Sequence, residues 1–166
     1  VDEATVAFDD YDYARALQRT ESFFWSFCDD YLELVKTRAY GEDPDDAGAA
    51  SARTSLAVAL STLLRLFAPV LPFATEEVWS WWQEGSVHRA PWPSADALRD
   101  LAGAEADPQV LTAAAGLLGA VRKAKSDAKV SMRAEVTSVV VGAGPADLAA
   151  LNAARQDVVD AGRVAS

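Results

Sequence analysis

Residues 12–40 read DYARALQRTESFFWSFCDDYLELVKTRAY, and the spacing of their apolar side chains decides the fold. Seven positions, separated by three or four residues in turn, fall along one side of an α-helix: Tyr13, Leu17, Thr20, Phe24, Phe27, Tyr31 and Leu34. The opposite stripe is polar throughout: Arg15, Arg19, Ser22, Ser26, Asp29, Glu33 and Lys36. The pattern predicts one long amphipathic helix that ends at Gly41 and turns its polar stripe toward solvent or a polar partner.

The chain that follows predicts two further helices of a bundle. After an acidic turn over 42–48, a helix over 51–68 places four apolar side chains inward: Leu56, Leu60, Leu63 and Phe67. Pro69 and Pro72 end that helix, and a third helix runs over 73–84. Residues 85–108 are rich in Pro and Gly and predict a loop with one short turn near 96–101.

The last third of the chain predicts a different architecture. A helix over 108–129 is rich in Ala and Leu at its start and basic at its end, and the β-branched run over 136–141 predicts a strand. Pro145 suits the first turn of a final helix over 146–160. The fold expected is mainly α, with a helical bundle over 1–100 and a small α/β element over 101–166.

Charge is distributed unevenly along the chain. The 15 basic and 25 acidic side chains give a net charge of −10, which excludes a uniformly basic nucleic-acid-binding surface. Residues 1–100 hold 8 basic and 18 acidic side chains, whereas residues 101–166 hold 7 of each. Within twelve residues lie five cations, Arg122, Lys123, Lys125, Lys129 and Arg133. This basic cluster is the strongest candidate for contact with an anionic partner.

The sequence carries no recognisable catalytic apparatus or metal site. Cys28 and His88 are single, so an internal disulfide is excluded and a zinc site has too few ligands; the cysteine usage favours a cytoplasmic setting. The acidic turn lacks the ligands of a calcium loop, and GAGPAD at 142–147 lacks the third glycine of a dinucleotide fingerprint. The longest apolar stretch, 56–67, is polar at three positions and too short to span a membrane.

Three stretches of the sequence resemble a known family. The chain contains, in this order, FFWSFCDDYLELVKTRAYG at 23–41, LLRLFAPVLPFATEEVWSWW at 63–82 and the short APWP at 90–93. Together they resemble the anticodon-binding helical domain of class I aminoacyl-tRNA synthetases. The wording is closer to the valyl enzymes than to the isoleucyl or leucyl ones. The resemblance covers about residues 8–93 and, more loosely, 119–141. Because the chain begins at Val1 without an initiator Met, we expect it to be a segment of a longer protein.

The resemblance implies a module that binds tRNA(Val) and contacts the catalytic domain of the same chain. The HIGH and KMSKS signatures are absent, so ATP, Mg and the chemistry of aminoacylation and editing would belong to the parent enzyme, and no cofactor is expected in these residues. Candidate tRNA-binding side chains are Arg15, Arg19, Lys36, Arg38, Trp81, Trp82 and the basic cluster. Because three Trp within four residues cannot all face one way, Trp81 or Trp82 is a candidate for exposure to a partner. The alternative is a helical structural or protein-interaction module without RNA contact.

Overall fold

A computed structural model describes residues 1–43 and 46–165, which are mainly α-helical, as the sequence predicts. The helices are α1 (Asp2–Asp9), α2 (Tyr13–Ser26), α3 (Leu32–Ala39), α4 (Ala47–Phe67), α5 (Pro72–Ser80), α6 (Ala95–Ala102), α7 (Pro108–Asp127), α8 (Pro145–Ala153) and α9 (Arg155–Gly162). Over this described part, no helix combines the length and apolar character needed to cross a bilayer. The predicted acidic turn at 42–48 lies partly outside the described residues.

The long helix predicted over 12–40 is confirmed as a helical run from α2 to α3, joined by a π-helical turn over Phe27–Tyr31. A π turn inserts an extra residue, and each residue rotates a helix by about 100°. Thr20 and Leu34 of the predicted stripe are buried, as is Val35, which flanks the stripe, whereas Tyr13 is 57% exposed. The stripe therefore faces the interior at Thr20 and Leu34 but not at Tyr13, and the helix itself is present.

The described residues form two compact units that interleave along the sequence. Unit 1 comprises 1–26 and 54–106, and unit 2 comprises the described residues of 27–53 and 107–165. One division coincides with the start of the π turn, and another falls within α4. The domain assignment 1–100 and 101–166 stays a prediction, and the two units differ from it in residues 27–53.

Unit 1 is organised around the end of α4 and the helix α5 that follows it. Leu64, Ala68, Trp79 and Val87 form its buried cluster. The carboxylate of Glu76 accepts hydrogen bonds from the Ser86 hydroxyl and the Val87 amide, both at 2.9 Å, and so fixes the loop that delivers Val87. Leu63 is buried as predicted, but Leu60 is 40% exposed and does not face the core.

Unit 2 packs α3 against α9 and α7 against both α8 and α9. Its core includes Val35 from α3, Leu118 and Val121 from α7 and Val158 from α9. The last residue of α9 is a buried glycine, Gly162, where an added Cβ would lie 3.1 Å from Val164 Cγ2. This close approach lets the segment after α9 turn back over α7.

The α/β character predicted for the last third is not confirmed. Among residues 107–165, pairing is limited to one isolated parallel bridge between Val136 and Val164, and no strand forms over 136–141. A β-branched run becomes a strand only when a neighbour supplies a ladder of hydrogen bonds, and Val140 instead lies 95% exposed. The final helix is also wrong as a single element, because α8 and α9 break at Ala154. Helix α1 was not predicted.

Candidate nucleic-acid interface

The predicted RNA-contacting arginines of unit 1 are held in surface ion pairs. Asp12 accepts from the Arg15 amide at 3.0 Å, and the guanidinium of Arg15 pairs with Asp10 at 2.8 Å. Arg19 on the next turn pairs with Glu3 of α1 at 2.9 Å. These cations lie at the surface, but each has a neighbouring carboxylate that offsets its charge.

The two tryptophans predicted as stacking surfaces differ in exposure. Trp81 is 69% exposed, and its indole Nε1 donates to Glu77 Oε1 at 3.1 Å. Trp82 is 39% exposed and lies tilted against the buried Trp79 ring, with centroids 6.3 Å apart. Phe73, which no sequence pattern marks as a candidate, is 90% exposed near the start of α5. The aromatic surface here is real, but acidic side chains accompany it.

Arg38 serves the internal packing of unit 2. Its guanidinium donates to both carboxylate oxygens of Asp157 on α9, at 3.0 and 2.8 Å, and to the carbonyl of Gly48 at 3.1 Å. A bidentate pair of this kind fixes both side chains and adds geometric specificity. Arg38 thus fastens α3 to α9 and to the start of α4.

The basic cluster divides into paired, buried and unpartnered cations. Lys123 pairs with Asp127 one turn along α7 at 2.8 Å. Arg122 donates to the Asp29 carbonyl at 2.8 Å and lies 3.6 Å from Glu33, which also pairs with Lys36 at 2.7 Å. Across the described residues, Lys129 and the guanidinium of Arg133 have no side-chain partner.

Lys125, a candidate tRNA-binding cation from the sequence, lies in the interior of unit 2. Its side chain is buried, and Nζ donates to the carbonyls of Met132 at 3.1 Å and Gly162 at 2.8 Å. Within the described chain no carboxylate pairs with it. Lys125 therefore joins α7 to the turn after it and to the end of α9. Helix periodicity could have suggested this, since Ala114, Leu118, Val121 and Lys125 repeat at three- and four-residue spacings.

Arg163, which follows α9, is a further cation that the sequence pattern does not mark. It adopts a left-handed backbone conformation, φ 51° and ψ 53°, which costs a residue other than glycine about 1 kcal/mol. Among the described residues, its side chain makes one hydrogen bond, of 3.4 Å, to the Arg133 carbonyl. No motif marks this position, because only the turn after α9 brings it beside the basic cluster.

A groove of about 390 Å³ in unit 2 brings several of these cations together. We call it the basic groove. Five cations line it: Lys36, Arg122, Lys125, Arg133 and Arg163. Two carboxylates also line it, Glu33, which pairs with two of the cations, and Asp160, which accepts from Gln156 Nε2 at 2.8 Å. The described residues that line the groove thus carry a net charge of three positive, in a chain whose total is −10.

Unit 1 has a cleft of another character. About 440 Å³ in volume, it is lined by apolar side chains such as Leu66 and Leu98 and by the hydroxyl-bearing Thr62. Thr62 is buried, and among the described residues its Oγ1 has no hydrogen-bond partner. The Glu3–Arg19 ion pair also lies at this cleft. The cleft therefore combines apolar side chains with a surface ion pair, and the Thr62 hydroxyl is buried beneath it.

The single cysteine and the single histidine of the chain are Cys28 in unit 2 and His88 in unit 1. Burial, and then the charge of Asp29, raise the pKa of the Cys28 thiol, which disfavours the reactive thiolate. His88 Nε2 lies 3.1 Å from the Pro72 carbonyl and is engaged in the loop of unit 1. In residues 1–43 and 46–165, no group of three His, Cys, Asp or Glu side chains is arranged to hold a metal ion.

The profile of one protein family, described as the anticodon-binding domain of tRNA ligase, matches residues 1–141. Curated relatives include the valine-tRNA ligases of Thermobifida fusca, 61% identical over 165 residues, and of Salinispora tropica, 55% identical over 177 residues. That of Leifsonia xyli subsp. xyli is 54% identical. Each match covers 99% of this chain but only 18–20% of the relative, so the chain spans about a fifth of their length.

Proposed function

Because the chain belongs to the anticodon-binding domain family of tRNA ligases, we propose that it is the tRNA-binding portion of a valine-tRNA ligase and that its ligand is tRNA(Val). The single observation that carries this proposal is the family match over residues 1–141. Single-stranded loops of RNA are recognised by stacking on aromatic and Arg side chains together with cationic contacts to phosphate, and both kinds of group are exposed here.

The parent enzyme would join valine to its tRNA in the cytoplasm. In that enzyme ATP with Mg would activate the amino acid in a catalytic domain. The relatives are long enough to contain such a domain, because this chain matches only 18% of the Thermobifida fusca enzyme. Residues of the present chain would bind and orient the tRNA. We expect the chain alone to give no valine-dependent pyrophosphate exchange, and exchange above that of a heat-inactivated sample would contradict this.

Among the predicted contact residues, the unpartnered cations are the first choice. Lys129 and Arg133 can bind a phosphate without breaking an ion pair. The other exposed cations would first have to release or share a carboxylate: Arg15, Arg19, Lys36, Arg122 and Lys123. Arg38 and Lys125 are engaged in internal contacts and are not part of the proposed RNA-facing set. The role of each remaining side chain is a proposal.

The test is titration of a tRNA(Val) transcript with the chain at two salt concentrations. Lys129→Gln should weaken binding and lower the slope of log K against log salt by about 0.7–0.9, because one fewer counterion is released. Arg89→Gln is the matched control, since Arg89 is an exposed cation of unit 1 with no side-chain partner among the described residues. Binding that is absent at low salt would overturn the proposal.

A protein-interaction role is the second candidate, favoured by the surface of α5. Phe73 and Trp81 are both largely exposed two helical turns apart, and Glu77 between them is acidic, which suits a protein partner better than RNA. If this surface serves protein contact alone, Phe73→Ser and Trp81→Ser should leave tRNA affinity unchanged. A loss of affinity in Trp81→Ser would instead support base stacking by this ring.

A further inference from the structure

We propose that the basic groove of unit 2 is a built binding site for one phosphate group, with Arg133 and Arg163 as its ligating side chains. The chemistry fits both a phosphodiester of an RNA backbone and free inorganic phosphate. That the phosphate comes from RNA rests on the proposed function; the existence of the site does not. Arg163 lies beyond the residues that the family profile matches and carries no expected role from sequence.

The first support is the local charge. The described lining residues of the groove have an excess of three positive charges, although the chain as a whole is strongly acidic. Of its two carboxylates, Glu33 is offset by Lys36 and Arg122, so Asp160 is the acid that faces the remaining cations. An anion gains more from such a concave cluster than from isolated surface cations, because the surrounding protein reduces screening.

The second support is that both arginines have free donors. A guanidinium has five N–H donors in a planar fork that matches the oxygens of phosphate. In the part of the chain that the structure describes, the Arg133 guanidinium has no partner, and Arg163 spends one donor on the Arg133 carbonyl. Neither arginine would have to leave a carboxylate in order to take an anion.

The third support is that the backbone under both arginines is fixed by one buried ammonium. Lys125 Nζ donates to the carbonyls of Met132 and Gly162, the residues immediately before Arg133 and Arg163. The Val136 amide also donates to the Arg163 carbonyl at 2.9 Å. An ammonium has three N–H donors, of which two are used here, and Lys125 lines the groove. Lys125 is thus a positioning residue for both arginines.

The experiment uses the full chain with two probes, inorganic phosphate and a tRNA(Val) transcript. Arg163→Gly removes the guanidinium and suits the left-handed backbone, and Arg133→Ala removes an unpartnered group, so both variants should fold. Arg155→Ala, an exposed cation of unit 2 outside the groove, is the matched charge control. Binding is read from the Arg Nε–H resonances and from titration at constant ionic strength.

Phosphate should shift the Nε–H resonances of Arg133 and Arg163 saturably. Arg133→Ala and Arg163→Gly should each weaken phosphate binding about tenfold, while Arg155→Ala keeps the affinity of the unsubstituted chain. Asp160→Asn should raise the affinity, because it removes the uncompensated carboxylate. Lys125→Met, studied at a temperature where it is folded, should abolish the Arg shifts, and Lys125→Arg should retain them. A purely structural Lys125 would leave the shifts of the folded variant intact.

The two probes separate the sources of the phosphate and the two proposals. If Arg133→Ala and Arg163→Gly also weaken tRNA binding and lower its salt slope, the ligand is a backbone phosphate. If phosphate binds in the groove and tRNA does not bind the unsubstituted chain, the site stands and the proposed function fails. If tRNA binds and both arginine variants behave like Arg155→Ala with either probe, the site is overturned and the proposed function stands.

Discussion

Units 1 and 2 are both helical, yet they use their charged side chains differently. Unit 1 holds five basic and twelve acidic residues, and three of its cations, Arg15, Arg19 and Arg99, pair with carboxylates. Unit 2 holds ten basic and thirteen acidic residues, and within its described part six of the ten cations have no carboxylate partner. Net charge therefore misleads about binding. What matters is which cations remain uncompensated and whether the fold gathers them.

The largest expected effect tests the two cores. Leu118→Ala in unit 2 and Leu63→Ala in unit 1 should each lower the free energy of unfolding by about 2–5 kcal/mol, because each deletes a buried side chain and leaves a cavity. Denaturant titration measures the loss, and amide hydrogen exchange shows whether it is confined to the mutated unit. Leu111→Ala and Leu60→Ala are controls on the same helices, both 40% exposed. A Leu60 variant as damaging as the Leu63 variant would contradict the observed core of unit 1.

The next effect concerns the buried ammonium of unit 2, which has no counterpart in the pairs of unit 1. Lys125→Met should destabilise the chain by about 2–3 kcal/mol, because the carbonyls of Met132 and Gly162 lose their donor. Lys123→Met on the same helix, with its side chain 74% exposed, should change stability by less than about 0.5 kcal/mol. Equal melting temperatures for the two variants would show that Lys125 is a surface cation after all.

A smaller effect is expected at the bidentate pair between α3 and α9. Arg38→Gln should cost about 1–2 kcal/mol, since the side chains of Arg38 and Asp157 are only 31% and 16% exposed and each would lose its partner. A double-mutant cycle with Asp157→Asn isolates the coupling from the separate contact with the Gly48 carbonyl. Additive losses would mean that the pair contributes no coupling energy.

The smallest effect belongs to the ion pairs of unit 1. Arg19→Gln should change the free energy of unfolding by less than about 0.5 kcal/mol, because Arg19 and Glu3 are 55% and 73% exposed and water screens them. Thermal melting at low and high salt checks this. A loss above about 1 kcal/mol would show that a surface ion pair of unit 1 contributes as much stability as the buried contacts of unit 2.

The sequence predicted helices well where apolar periodicity and chain breakers agreed. The helix that ends before Pro69, the helix that begins with Pro108 and the long run ending near Gly41 all appear. Prediction was poorer where a tertiary partner was required: Val136–Val141 had strand propensity but no ladder, and the stripe through Tyr13 assumed that no residue interrupts the regular turn. Propensity and periodicity are local, whereas pairing and register depend on what lies alongside.

For the site, the sequence by itself determined which cations exist and that five of them cluster within twelve residues, because a charge count needs no fold. It also determined the family, through motifs that are local in the chain. Only the tertiary structure decided that Lys125 is buried, that Arg38 pairs with a residue 119 positions away and that Arg163 joins Arg133 in one groove. Burial and partnership depend on groups distant in sequence, and these decide whether a charge stabilises the fold or is available to a ligand.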